Sequence, residues 1–465
     1  MKRVNAANLT DAIVSHIGGC GIMLKVLTSD RAAIGIDFGT TNSSVALATR
    51  GTSPSANPNV ELVRFPFASG ATEAYRSLLY LEQHKEPGRT SIKSCIKSWT
   101  GPTAIEQYLA AETKGRLIQS LKSYLTSRTL TTTDVFGHRR TLEELIARIL
   151  ADLREQAERQ FGIPIRHAVV GRPVRFVGAE TEDDNLYAIG RLRKAFQIAG
   201  YESVDFEMEP VAAAYYYEST LDHDELILIG DFGGGTSDFS LLQVGPKVRG
   251  RGRKPEDFLG NSGVGLAGDA FDAKIVRNLV SPRLGAGSSA RSFEKVLPAV
   301  PNWVYAKLER WHHLSFLRTR AVLNMLNSTK VQAFEPDQIA ALIHLIEEDL
   351  GYHLHAAVQR VKCRLSEADR AEFHFVDGDL EIRATVSRAE FEEWIADDLA
   401  KLEHCIDGLL QTSGVDPAAV DAVFLTGGSS FVPAVRRIFD TRFGAHRVRS
   451  GNQFTSVARG LALGA

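Results

Sequence analysis

Apolar strand residues alternate around a glycine turn at two distant places in the chain. "IGIDFGTTNSSVAL", Ile34 to Leu47, and "LILIGDFGGGTSDFSLL", Leu226 to Leu242, both read as strand, tight turn, strand. Each places an aspartate, Asp37 or Asp231, near the end of an apolar strand and just ahead of the turn. A buried carboxylate is costly unless something satisfies it, so the repetition calls for one explanation that covers both copies.

Longer patterns follow each hairpin. "TLEELIARILADLREQAERQFG" predicts a helix: Thr141 and Glu144 make a capping box, and Leu142, Leu145, Ile146, Ile149 and Leu153 form an apolar stripe. "HAVVGRPV" reads as a buried strand, "NLYAIGRLRKAFQIAGY" as an amphipathic helix, and "VDFEMEPVAAAYYYES" as a strand running into another helix. After the second hairpin, "GPKVRGRGRKPEDFLGNSG" reads as a polar loop. Helices dominate from Asp269 to Leu365, a short β region follows, and "AVFLTGG" with "VPAVRRIFDTRFG" predicts a late strand and helix. Each half thus mixes helix and strand and opens on the same hairpin. That is the mark of a duplicated α/β fold with two lobes facing one central cleft. The expected division is a leader over 1–30, a first lobe over 31–225 and a second over 226–465, with the last helix returning to the first lobe. No further substrate-binding domain is expected.

At 465 residues the chain is too long for one ordinary core. Its 44% hydrophobic and 24% charged residues are those of a globular protein, and a formal net charge of −2 argues against bulk attraction to nucleic acid or acidic membranes. Cys20, Cys95, Cys363 and Cys405 are scattered, without zinc spacing, and no apolar run reaches the ~20 residues of a membrane-spanning helix. A cytoplasmic protein with free thiols is the expectation. "AIVSHIGGCGIMLKVL" is a poor signal-peptide core, and translation starting at Met23 is an alternative to a leader.

Glycine lets a backbone approach a ligand closely, and successive N–H groups in such turns form an anion-binding concavity. Gly39 in one turn and Gly233, Gly234 and Gly235 in the other supply that geometry, with hydroxyls from Thr40, Thr41 and Thr236. Asp37 and Asp231 beside the turns suit a hydrated Mg²⁺ facing phosphates. Ordinary hairpins would explain one copy; two copies in register point to phosphate binding. Gly427, Gly428 and Ser429 follow a buried strand and would let a flat ring lie against backbone, although a plain βα turn explains them equally well. Glu209, just before Pro210, is placed either to orient a water or to cap a helix. "GVGLAG", Gly263 to Gly268, fits a dinucleotide fingerprint by its letters, but "PEDFLGNS" before it reads as loop, and the fingerprint needs a strand there. The "DFG" letters lack the other protein-kinase signatures. The basic run from Lys247 to Lys254 has no stacking aromatics for nucleic acid, and reads as a solvated insertion. Packing explains His312 and His313 better than metal binding does.

With these motifs in order, the chain resembles the ATPase domain of DnaK-type heat-shock chaperones, and most closely the truncated YegD-type relatives. "GIDFGTTNSSVA" and "DFGGGTSDFSLL" are similar to the family's two phosphate loops, and "EPVAAA" to its catalytic segment. The resemblance covers Ile34 to the C-terminus. It implies an actin-like ATPase fold, ATP or ADP with Mg²⁺ and room for K⁺, and Asn42 in the first phosphate loop. It makes Lys122, Glu209, Asp231 and Thr236 the catalytic group. It places Gly268 and Asp269 near the β-phosphate and ribose, and Gln359, Lys362, Ser366, Gly427, Gly428, Ser429 and Phe431 around adenosine. Gln359 replaces the family's glutamate, and Cys363 and Phe431 replace its arginines at the adenine faces, which weakens adenosine binding or loosens base choice. The implied activity is slow ATP hydrolysis by a chaperone or nucleotide switch, with protein clients or co-chaperones as partners, no nucleic acid or membrane, and a monomer as the expected state. A small-molecule kinase and an actin-like polymer or non-hydrolysing nucleotide binder of the same superfamily remain the alternatives.

Overall fold

The alternation that marks the two hairpins builds two sheets of the same design. The computed structural model describes residues 32–49, 59–68, 70–87, 92–111, 115–292, 295–450 and 455–464, so the leader expected at 1–30 lies outside the described residues. In the first half, Ala32–Phe38 pairs antiparallel with Asn42–Thr49 and parallel with His167–Arg172. Asn59–Leu62 extends this sheet on the hairpin side and Ser203–Met208 on the other. In the second half, Glu225–Phe232 pairs antiparallel with Ser237–Val244 and parallel with Ala422–Thr426, with Phe258–Val264 and Val448–Ser450 at the edges. Strand order and direction therefore agree between the two halves. Asp37 opposes Ser44 in one hairpin, and Asp231 opposes Asp238 in the other.

Burial follows from these layers. Every residue of Glu225–Phe232 is buried, as a strand covered on both faces requires. The helix Leu142–Phe161 begins with the expected capping box: Glu144 N–H donates to Thr141 Oγ1 at 3.1 Å, and Thr141 N–H to Glu144 Oε2 at 2.9 Å. Its stripe of Leu142, Leu145, Ile146, Ile149 and Leu153 is buried in the first core. The second core lies between the second sheet and helices that include Pro336–Glu347 and Gly351–Glu367. The terminal helix Ser456–Gly464 lies on the first sheet and against the helix Glu209–Glu218.

Two segments depart from the sequence reading. Phe258–Val264 is a strand, not a loop. None of its seven residues is fully buried, and glycine, asparagine and serine fill four of them, Gly260 to Gly263, so the apolar alternation that marks a strand is interrupted. "GVGLAG" thus begins in the last two residues of a strand and ends on the first residue of the helix Gly268–Ile275, and of its residues Gly268 lines the cavity. The helical region also contains a small hairpin, Ser289–Ser292 with Lys295–Pro298. Within the basic run, Arg251 pairs with Asp257, Arg253 with Glu218 at 2.8 Å, and the exposed Lys247 with Asp224 at 3.7 Å.

One buried histidine contributes to how stability depends on pH. His355, on Gly351–Glu367, is buried, and its pKa is pulled down to about 4, chiefly by burial, with Asp272 opposing and Lys362 and Arg76 assisting. The unfolded chain takes up this proton near pH 6.5, so the His355 contribution disfavours folding as pH falls from about 6.5 towards 4, while the raised acids Asp37, Asp238 and Asp269 contribute in the opposite direction. The melting temperature of His355→Gln relative to wild type should rise between pH 7 and pH 4.5. An unchanged difference between variant and wild type at pH 7 and pH 4.5 would count against this assignment.

Candidate active site

Four glycine turns from separate parts of the chain meet at one cavity. In the first turn, a Cβ on Gly39 would stand 2.1 Å from the Asn42 carbonyl oxygen, so the tight bend excludes any other residue. In the second, Gly233 N–H donates to Thr236 O at 2.9 Å. The two turns face each other directly: a Cβ on Gly234 would lie 2.3 Å from Thr41 Oγ1. The third turn joins through Asp269 N–H, which donates to Gly234 O at 2.9 Å. In the fourth, Gly427 has φ +84°, and a Cβ there would lie 2.0 Å from Phe232 O.

The lining of the cavity collects almost every residue singled out above. Gly39, Thr40, Thr41 and Asn42 form one wall, and Gly233, Gly234, Gly235 and Thr236 the opposite one. Asp37, Lys122, Glu209 and Asp231 sit between them. Gly268, Asp269, Gln359, Lys362, Gly427, Gly428 and Ser429 complete the second-half side. Lys362 Nζ donates to Gly268 O at 3.1 Å and pairs with Asp272 at 2.7 Å, tying its helix to the third turn.

Two expected positions stay outside the lining. The Ser366 hydroxyl turns back to Lys362 O at 3.3 Å, and Phe431 is half-exposed on the one-turn helix Gly428–Phe431. The sequence reading gave no site role to Pro173, Phe176, Val177, Val457 or Arg76, all of which line the cavity. They belong to no glycine motif, and only the fold brings them together.

Charge is concentrated at the bottom of the cleft. Lys122 Nζ lies 2.6 Å from Glu209 Oε1, with both side chains buried. Burial opposes the lysine's charge, yet Glu209 and then Asp37 hold its pKa above the ordinary value. Lys122 lies in the short helical turn Leu121–Tyr124, which is entered through Ser120 at φ +58°, a left-handed conformation uncommon outside glycine. Burial and then Glu209 push Asp37 up to about 7, against the pull of Lys122. Asp231 is raised by burial, Glu209 and Asp37, and Asp238 is raised to about 7 by burial and Glu209. Several buried acids around one lysine leave negative charge that a cation would neutralise. Among the described residues, no group of three His, Cys, Asp or Glu side chains is placed to grip a metal directly. The buried Thr41 Oγ1 has no hydrogen-bond partner among the described residues, as a donor available to a ligand would.

Comparison with known proteins agrees with this geometry. The family model described as Hsp70 protein matches residues 84–283 and 345–465, more than half of the chain. The chain is also similar to the chaperone protein DnaK of two strains of Thermus thermophilus, at 27% identity over 330 residues in each case. Those alignments cover 71% of this chain and 44% of each relative, so the chain spans less than half the length of the curated relatives it matches. The matched residues include Lys122, Glu209, the whole second hairpin, Lys362 and the Gly427–Ser429 turn. Together with two sheets of one design around a shared glycine-lined cleft, this shows that the chain belongs to the Hsp70 protein family.

Proposed function

We propose that this chain binds ATP and hydrolyses it slowly to ADP and phosphate, its two halves closing on the nucleotide as a switch. One observation carries the reading: two glycine hairpins, one per sheet, present their turns to each other across buried acids and a lysine. Such turns offer N–H donors to a polyphosphate from both sides. The lobes in this reading are 31–225 and 226–465, with the terminal helix belonging to the first.

The residues fall into roles by their chemistry. The N–H groups of both turns, with Thr41 and Thr236, bind and orient the phosphates. Lys122 has three donors, and its pair with Glu209 leaves others for the γ-phosphate. The Glu209 carboxylate accepts a hydrogen bond from a water and aligns it for in-line attack: a water oxygen–phosphorus bond forms, the γ-phosphorus bond to the β-bridging oxygen breaks, and ADP departs with the electron pair. Asp37 and Asp231 would hold a hydrated Mg²⁺, which when bound neutralises phosphate charge. Gln359, Lys362 and the Gly427–Ser429 turn border the adenosine, with Phe431 at its outer edge and Ser366 behind Lys362. K⁺ is a further candidate ion for the acidic cleft. The DnaK relatives are chaperones, so unfolded polypeptides and co-chaperones are the partner classes to test, and the closer likeness to YegD-type proteins belongs to the same proposal. Among the described residues, no helix is long and apolar enough to cross a membrane.

Calorimetry with ATP, ADP and GTP, each with and without Mg²⁺, tests this reading. Saturable binding of ATP and ADP, tighter with Mg²⁺, is expected. No heat from either adenine nucleotide would refute it.

A further inference from the structure

Arg76 has no place in any motif, yet it enters the cleft beside the first phosphate turn. It lies on the two-residue strand Tyr75–Arg76, where the register sets it opposite Asn42. Its Nη1 donates to Asn42 Oδ1 at a long 3.3 Å, and the side chain lines the same cavity as the glycine turns.

The other two cations lining the cavity are already spoken for. Lys122 pairs with Glu209 at 2.6 Å, and Lys362 with Asp272 at 2.7 Å. Arg76 makes no ion pair among the described residues, and its one hydrogen bond to a side chain leaves most of its donors unspent. Burial pulls the guanidinium below its ordinary value, while Tyr352, Asp269 and Asp272 push the other way from beyond ion-pair distance. A largely buried guanidinium with spare donors suits an anionic ligand, and its planar fork matches phosphate oxygens.

We propose that Arg76 is a phosphate-recognising residue of this cleft, which makes the site selective for nucleoside di- and triphosphates over the bare nucleoside. The inference rests on the nucleotide reading of the cleft. Arg76 approaches from the first half, while Asp269 and Asp272 face it from the second, so bound phosphate gives the guanidinium its missing partner and draws the two walls together. The competing role is a strut, in which Arg76 serves only to balance Asp269 and Asp272 and never touches a ligand.

Binding of ATP, ADP and adenosine to the full chain, measured by calorimetry for wild type, Arg76→Ala and Arg76→Lys, separates the two roles. A lost charge-assisted contact should weaken ATP and ADP roughly 10- to 100-fold. Adenosine binding should be unchanged, and lysine should restore part of the loss. Arg76→Gln retains a donor for Asn42 and gives the same readout if the alanine variant fails to fold. An unchanged ratio of ATP to adenosine affinity in the variants, with wild type binding both, overturns the Arg76 assignment alone. A wild type that binds no adenine nucleotide overturns the nucleotide reading and this inference with it.

Discussion

Lys122→Ala is expected to abolish ATP turnover and to destabilise the ligand-free protein. The two losses have separable causes. Lys122 and Glu209 are a pair at 2.6 Å with both side chains nearly inaccessible to water. Removing one member of such a pair costs about 3–5 kcal/mol, because the other charge stays buried without its partner. Asp37, Asp231 and Asp238 crowd the same space, so the charge left on Glu209 has acids rather than a cation for neighbours. The catalytic loss comes from removing a preorganised donor to the γ-phosphate, about 3 kcal/mol or more than 100-fold in kcat. Lys122→Ala with Glu209→Gln should therefore recover most of the stability and none of the turnover. A thermal melt and a phosphate-release assay on the two variants read both quantities. Turnover surviving in the single variant would contradict the assigned role. In the same cluster, Asp37→Asn should raise the stability of the ligand-free protein by removing one of the repelling acids, while weakening Mg²⁺-dependent nucleotide binding.

Gly460→Ala should destabilise by about 3 kcal/mol, although alanine is the better helix former. Gly460 lies in the terminal helix Ser456–Gly464, where an added Cβ would stand 1.6 Å from the Ala212 carbonyl oxygen on the helix Glu209–Glu218. Neither atom is the end of a flexible side chain, so the helices must separate. Gly35, in the strand beneath, meets the same helix: a Cβ there would lie 2.4 Å from Ala458 O. Gly408 provides the control. It lies within the helix Ala396–Ser413 with nothing near its would-be Cβ, and Gly408→Ala should stabilise by roughly 0.5–1 kcal/mol. Denaturant melts that place both variants on the same side of wild type would overturn the packing argument. The terminal helix also bears on function, because Val457 lines the cleft and the displaced helix Glu209–Glu218 begins with the acid that pairs with Lys122.

The fold was legible wherever local sequence and burial agree. The two hairpins carry their own turn chemistry, and the helix after Thr141 carries both a cap and a stripe. The turns that line the cavity were legible in the same measure, because glycine turns are fixed by short-range backbone demands. Arg76, Phe176 and Val177 were not, since nothing local distinguishes a residue that faces a cleft built from distant strands. The edge strand Phe258–Val264 was missed because Gly260, Asn261, Ser262 and Gly263 interrupt the apolar alternation of a strand. Phe431 and Ser366 were placed in the site by resemblance, and the structure sets one at the surface and turns the other back along its own helix.

The pairing of the two turns around one ligand is tested most directly by a crystal structure grown with Mg²⁺ and ADP. The account predicts diphosphate density between Gly39–Asn42 and Gly233–Thr236, with a hydrated ion beside Asp37 and Asp231. Nucleotide bound elsewhere on the molecule, or a cleft left empty at saturating ADP, would contradict it.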